Sequence, residues 1–388
     1  TTGATLRTRS LRQRYPDHGI SRLFSINMMV TQTPKITILC PSYNHENFVV
    51  AFIESVQSQT LQDFELIIVD DSSSDNNLKK INQIRDERIL VIKHDFNEGI
   101  NSALNDAISH ARSNYCVFMG SDDIMEPRHL ECSYNYLENN HEVDVFYCSL
   151  SLIDDDGNSV PDKKGEYVRR NSDRFGLLRS MFFNGNQLLS PGMVVRTQAF
   201  KAIMPLDADV LQYQDCQIHV RLLINGGVFQ STEKLVKYRQ RTSEANASAR
   251  SKSVLIRESL EVPSLMDGFL EIKDVELLLN VFQEDARRFG EPTNCTIPYI
   301  LGRLAIATQD FSKQCWGYRT IGKFIKKKKN RSLLHSLYGF DFASFIRLAD
   351  LINDSEIMTQ TLVSKKYKKY KKLVYFLFSF SIVLLVLL

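Results

Sequence analysis

The sequence predicts an α/β fold: a mainly parallel sheet flanked by helices, then a helical region and an apolar tail. Three observations carry this. Five short, apolar, β-branched runs alternate with stretches of helical period between residues 35 and 148. Polar side chains able to do chemistry bunch directly after those runs, where parallel sheets gather ligands. From residue 251 to 350 only helical patterns recur, and the chain closes on an uncharged stretch, 373–388.

The elements follow in order. Residues 35–40 (KITILC) read as a buried strand ending at Pro41. Phe48, Phe52, Ile53 and Val56 recur at helical spacing, which predicts a helix over 48–59. Runs 64–69 (FELIIV) and 89–93 are the second and third strands. A helix over 100–111 puts Ala103, Leu104, Ala107 and Ile108 on one face. Run 115–119 (YCVFM) is the fourth strand, Pro127 opens a helix, and 143–148 (VDVFYC) is the fifth strand. Beyond it come a hairpin turn at 154–158, a helix over 173–183 and a short strand at 193–196. A helix over 213–224 closes at Gly226 and Gly227, and another short strand precedes Tyr238.

At 388 residues, with 43% hydrophobic and 24% charged, the chain can bury a large core. The net charge is +3 and the Lys excess lies near the C-terminus, so the N-terminal half is no basic nucleic-acid surface. Seven cysteines, with no pair in C-x-x-C spacing, argue against a zinc site and a disulfide framework, and for a reducing compartment. Residues 1–27 carry scattered Arg and no apolar core of a signal peptide. Met28 or Met29, just before the first strand, is the expected initiator.

Two strand ends carry paired acids. Asp122 and Asp123 follow the fourth strand, and in a chain without a zinc signature they suit a hard, oxygen-loving cation, Mn or Mg. Asp70 and Asp71 follow the second, where a carboxylate can accept from a nucleobase or a ribose hydroxyl, while Asp75 fits a helix-capping role. A nucleotidyltransferase would carry a Gly-rich, basic loop after the first strand; CPSYNHENF has neither Gly nor Lys nor Arg. No G-x-G-x-x-G follows Cys40, which excludes a dinucleotide fold.

The stretch ITILCPSYNHENFVVAFIESVQSQTLQDFELIIVDDSSSDN, with Asn97, Glu98, Gly99 and Asn101 after it and FMGSDD later, resembles the family-2 glycosyltransferases of GT-A type over residues 34–240. The resemblance implies a GT-A-like sheet and inverting transfer of a sugar from a nucleotide-diphosphate donor, most often uridine-based. By position, Pro41, Ser42 and Tyr43 would line the nucleotide pocket and Asp71 would bind the base. Gly99 belongs to the N-x-G element; Asp122 would approach the ribose and metal, and Asp123 would ligate the metal. Ser121 stands where the D-x-D element has its first acid. Asp215 would be the catalytic base, with Arg221 downstream, although Gln214 replaces the first acid of the family's pair. Arg239 or Arg241 would close over the diphosphate. His94, His110, His129, His141 and His219 show no metal-ligand spacing and are read as structural or exposed.

The implied domains are a flexible extension (1–33), a GT-A catalytic domain (34–245), a helical region (246–364) and a polybasic segment with a membrane anchor (365–388). KKYKKYKK ahead of sixteen uncharged residues predicts attachment to an anionic leaflet, with the catalytic domain on the cytoplasmic face of the inner membrane. The implied acceptor is a glycan or a lipid-linked glycan. The competing function is an inactive nucleotide-sugar-binding or scaffold protein of glycan assembly.

Overall fold

The computed structural model describes residues 33–352, apart from 164, 166, 169–171 and 242–250. All but one residue of the expected extension, and the whole of 365–388, lie outside the described residues. The described residues from Pro34 onward form one compact unit.

The first half alternates strand and helix: β1 (Ile36–Ser42), α1 (Val49–Gln57), β2 (Phe64–Asp70), α2 (Asn77–Ile81), β3 (Ile89–Lys93), α3 (Ile100–His110), β4 (Tyr115–Phe118). β1 and β2 are buried along their whole length, as apolar runs covered on both faces must be. The four strands pair in parallel in the order β3-β2-β1-β4, so β1, β2 and β4 deliver their carboxyl ends to one edge.

Then come β5 (Ile124–Met125), α4 (His129–Asn139), β6 (Val143–Ile153), β7 (Ser159–Val160), α5 (Arg174–Asn184), β8 (Met193–Arg196), α6 (Thr197–Ala202), α7 (Gln214–Asn225) and β9 (Gly227–Arg239). This half makes the sheet mixed. β8 slots in antiparallel between β4 and β6, β9 runs parallel to β6, and β5 lies antiparallel on β9. The hairpin expected at 154–158 joins β6 to β7.

Two strands are longer than the sequence predicts. β6 continues to Ile153 because Ser149 and Ser151 alternate with Leu150 and Leu152, a period of two that reads as a loosening pattern. β9 spans thirteen residues, and its exposed centre, Thr232 to Lys234, lies where its register against β6 shifts.

The helical region comprises α8 (Lys252–Gly268), α9 (Val275–Phe282), α10 (Glu284–Arg287), α11 (Ile297–Ile306), α12 (Phe311–Ile325), α13 (Lys328–Tyr338) and α14 (Phe342–Arg347). The sheet separates two apolar cores. Ile38 and Cys40 of β1 pack with α1 and α4 on one face. Leu39, on the other, packs in the core that also holds α3, α5, α7 and helices α8 to α12. All seven cysteines are free thiols.

Candidate active site

The ends of β1, β2 and β4 are stitched together by short side chains. Ser121 Oγ donates to Ser42 Oγ at 2.7 Å, and Asn77 Nδ2 donates to Ser42 Oγ (2.9 Å) and to Asp70 (2.7 Å). Pro41 and Ser42 are therefore buried in the floor, while Tyr43 is 45% exposed above them. Asn44 (φ 52°) and Ser72 (φ 59°) adopt left-handed backbone at the first two strand ends. Cross-links hold these loops: Asn44 N–H donates to Ser73 Oγ, and Ser74 N–H to Asn44 Oδ1 (2.8 Å). Asp75, one residue before the N-cap Asn76 of α2, accepts from the N–H groups of Asn77 and Glu46 and so ties that loop to the one after β1 instead of capping the helix.

Asp71 is buried and bolts the 97–99 loop to the end of β2. It accepts from the N–H groups of Glu98 (2.7 Å) and Gly99 (2.9 Å) and from His94 Nδ1 (2.8 Å). His94 also meets Asp106 at 3.0 Å. Burial lowers the His94 pKa, but the hydrogen bonds to Asp71 and Asp106 outweigh it and the net shift is upward. Gly99 turns the loop at φ 89°, a conformation that suits glycine.

At the end of β4, Asp123 is buried and Asp122 is partly open. Asp123 accepts the backbone N–H of Arg239 at 2.9 Å. Burial, then the charge of Asp122, pushes the Asp123 carboxyl well above the usual range. His45 bridges this corner: Nδ1 lies 2.7 Å from Ser121 Oγ, and Nε2 lies 3.7 Å from Asp122 and 3.3 Å from Arg241. Burial lowers the His45 pKa in spite of Asp122.

The two arginines differ. Arg239 is 4% exposed, and its guanidinium donates to the carbonyls of Asp122, Asp154 and Asp155. It clamps the turn after β6 to the acid pair with three of its five N–H groups, a structural task beside the one expected of it at a diphosphate. Arg241 reaches His45 and shares the Phe48 ring with Arg239, at 5.2 and 4.7 Å.

Asp215 lies half-buried in the first turn of α7. Burial raises its pKa to about 6, against the Cys216 N–H and Asn186 hydrogen bonds that lower it. Asn186 Nδ2 donates to Oδ2 at 2.9 Å. Glu261, from α8, accepts the N–H groups of Leu211, Gln212 and Tyr213 and so fixes the start of α7. One turn along, His219 meets Tyr147 Oη at 2.7 Å, which sets the rotation of the helix. The Tyr238 phenol is pushed up by burial, then by Asp123, Asp122, Tyr167 and Asp215. One buried phenol thus feels both the strand-end pair and the α7 carboxylate. Arg221 stands apart, donating to Glu271 (2.6 Å) and to the Ile203 carbonyl.

The family model of Glycosyl transferase family 2 matches residues 37–205, which hold Tyr43, Asp71, Gly99, Asp122 and Asp123. An uncharacterised glycosyltransferase of Methanocaldococcus jannaschii is 30% identical over 211 residues, covering 53% of this chain and 71% of that protein. The chain belongs to glycosyl transferase family 2.

A second relative, the Escherichia coli UDP-Glc:alpha-D-GlcNAc-diphosphoundecaprenol beta-1,3-glucosyltransferase WfgD, is 33% identical over 128 residues, 33% of this chain and 49% of its own. The crystal structure of S. aureus TarS 1-349 in complex with UDP superposes with a TM-score of 0.53 at 16% identity, covering 75% of this chain and 88% of that one. The shared GT-A-like architecture is a mixed sheet flanked by helices with a helical C-terminal region. This protein is a glycosyltransferase.

Within this glycosyltransferase the structure gathers Tyr43, Asp71, Gly99, Asp122, Asp123 and Arg241 around the ends of β1, β2 and β4, while Asp215 stands at the start of α7, with Tyr238 influenced by both. Asp215 lies beyond the span of the family match. Three contributors escaped sequence reasoning. His45, in the loop after β1, could have been noticed from its place two residues past Tyr43. Asn186 and Glu261 carry no sequence signal, because each meets α7 from a distant part of the chain.

Proposed function

We propose that this glycosyltransferase moves a sugar from a UDP-sugar to a lipid-linked or glycan acceptor, with inversion, at the cytoplasmic face of the inner membrane. The observation that carries the reading is the pairing of two unlike acid sites. One is the crowded Asp122–Asp123 pair; the other is a lone carboxyl, Asp215, raised to about 6. The relative named for a UDP-Glc donor and a diphosphoundecaprenol acceptor, and the TarS complex with UDP, support the choice of donor and acceptor class.

Among the described residues, no group of three or more His, Cys, Asp or Glu side chains converges to hold a metal. The donor set instead fits Mn or Mg held by one or two carboxylates, with donor phosphates and water completing the shell. Asp123 would hold it with Asp122 alongside: a buried carboxyl crowded by a second one is relieved by a cation. Such an ion offsets the negative charge that gathers on the diphosphate. Arg241 donates to the same phosphates, oriented by the Phe48 ring and His45.

Asp71 walls the base pocket through the 97–99 loop. Three N–H donors occupy three of the about four lone-pair positions of a carboxylate, which leaves one for a base imide. Asp215 takes the proton of the acceptor hydroxyl as its oxygen bonds to the anomeric carbon of the donor. The bond from that carbon to the diphosphate breaks on the opposite face, and its electron pair leaves with the nucleoside diphosphate.

A screen of nucleotide sugars for metal-dependent hydrolysis and thermal stabilisation tests the reading. UDP-sugars are expected to be hydrolysed and to stabilise the protein when Mn or Mg is present. Saturable donor binding with neither hydrolysis nor transfer would favour the inactive binding protein instead.

A further inference from the structure

A cavity of about 590 Å³, widely open to solvent, lies in the helical region and shares no residue with the active site. Three arginines line it, Arg288, Arg303 and Arg347, together with the rings of Phe289, Tyr299 and Tyr338. No carboxylate side chain lines it. Arg303 lies over the Phe289 ring at 4.6 Å and donates one Nη1 hydrogen to Tyr299 Oη, a modest use of a guanidinium with five N–H donors. Arg347 meets Ser344 Oγ at 3.1 Å. Among the described residues neither Arg303 nor Arg347 forms a direct ion pair, although the charge of Arg347 reaches Asp341, which accepts from Ser344; Arg288 stands 3.8 Å from Asp285.

The surface around this cavity is apolar and basic together. Leu337 (47% exposed) and Leu351 (58%) are on its lining, so apolar surface stands open beside the arginines. Lys326 to Lys329 and Arg331, all exposed, lie at the start of α13, which leads into the cavity at Leu337 and Tyr338.

We propose that this cavity seats the phosphate of an anionic membrane glycerophospholipid, with the apolar rim set among its acyl chains. Cationic walls without a carboxylate select a phosphoryl anion. Open apolar side chains beside them select an anion joined to hydrocarbon over a soluble one. The chain beyond Leu351 continues in sequence to KKYKKYKK and an uncharged stretch, as a face turned toward a bilayer would require. The proposal deepens the membrane reading above and can fail separately from it, because the probe is a monomeric lipid that needs no bilayer and no anchor.

The test is calorimetric titration of the full chain with dihexanoyl phosphatidylglycerol below its micelle concentration. Dihexanoyl phosphatidylcholine and inorganic phosphate serve as comparators, and R303A/R347A as the variant. Saturable binding of the phosphatidylglycerol is expected, weakened by about tenfold or more in the variant, with UDP-sugar hydrolysis unchanged. Equal binding by the variant, equal binding of phosphatidylcholine, or inorganic phosphate binding as well as the lipid would each overturn the proposal, as would no binding to the wild type.

Discussion

Asp215 is pulled in two directions. Burial favours its neutral form, while Asn186, the Cys216 N–H and the helix N-terminus favour the carboxylate. Burial wins and leaves the group near 6, where a base is ionised at neutral pH yet still able to hold a proton. Asp215→Asn is expected to lower transfer by about 10²- to 10⁴-fold with little change in donor affinity. In the wild type the rate should fall as pH drops through about 6, because protonation removes the acceptor of the proton. Initial rates against pH check this, and a rate flat across that value would remove Asp215 from the role. Asp123→Ala should abolish the metal-dependent part of donor binding, measured by titration with and without Mn. Wild-type turnover unaffected by excess chelator would contradict it. The arginines should separate: Arg241→Ala weakens donor binding and leaves unfolding unchanged, whereas Arg239→Ala loses buried charged hydrogen bonds and costs about 2–3 kcal/mol of stability. Denaturant melts together with donor titrations distinguish them.

Between elements, the contact that matters most is Glu261 on the start of α7. One carboxylate oxygen accepts three successive backbone N–H groups, so α8 holds the helix that presents Asp215. Glu261→Ala leaves those donors without their partner and is expected to lower stability by about 1–3 kcal/mol and to depress turnover more than donor affinity. A variant that keeps wild-type turnover would show that α7 holds its own position. This contact, and the core that α7 shares with α8 to α12, explain how a helical region can matter to a site built mainly at strand ends.

For the molecule as a whole, the prediction concerns its setting. Among the described residues no helix is long and apolar enough to cross a membrane, and the anchor proposed for 365–388 lies outside them. Each Lys of KKYKKYKK is worth about 1 kcal/mol beside an anionic leaflet. Deleting 365–388 should release the protein from membrane fractions and leave donor hydrolysis intact. A truncated protein that still sediments with membranes would contradict the anchor.

The sequence by itself determined the order of β1 to β4 and the helices α1 and α3 between them, but not the short α2. It also placed the chemically active residues, Asp71, Asp122 and Asp123, directly after strands. Both are local matters: periodicity over a few residues declares an element, and a polar group following an apolar run declares a strand end. What only the tertiary structure decided depends on partners far away in the chain. β8 could not be seen to enter antiparallel between β4 and β6, because three apolar residues and an arginine do not name their neighbours. Arg239 looked as available as Arg241 until the carbonyls at 154 and 155 were brought against it. Burial and the engagement of donors arise only when distant segments meet, so the residue types with functional promise were legible in the sequence, but the contacts each of them makes were not.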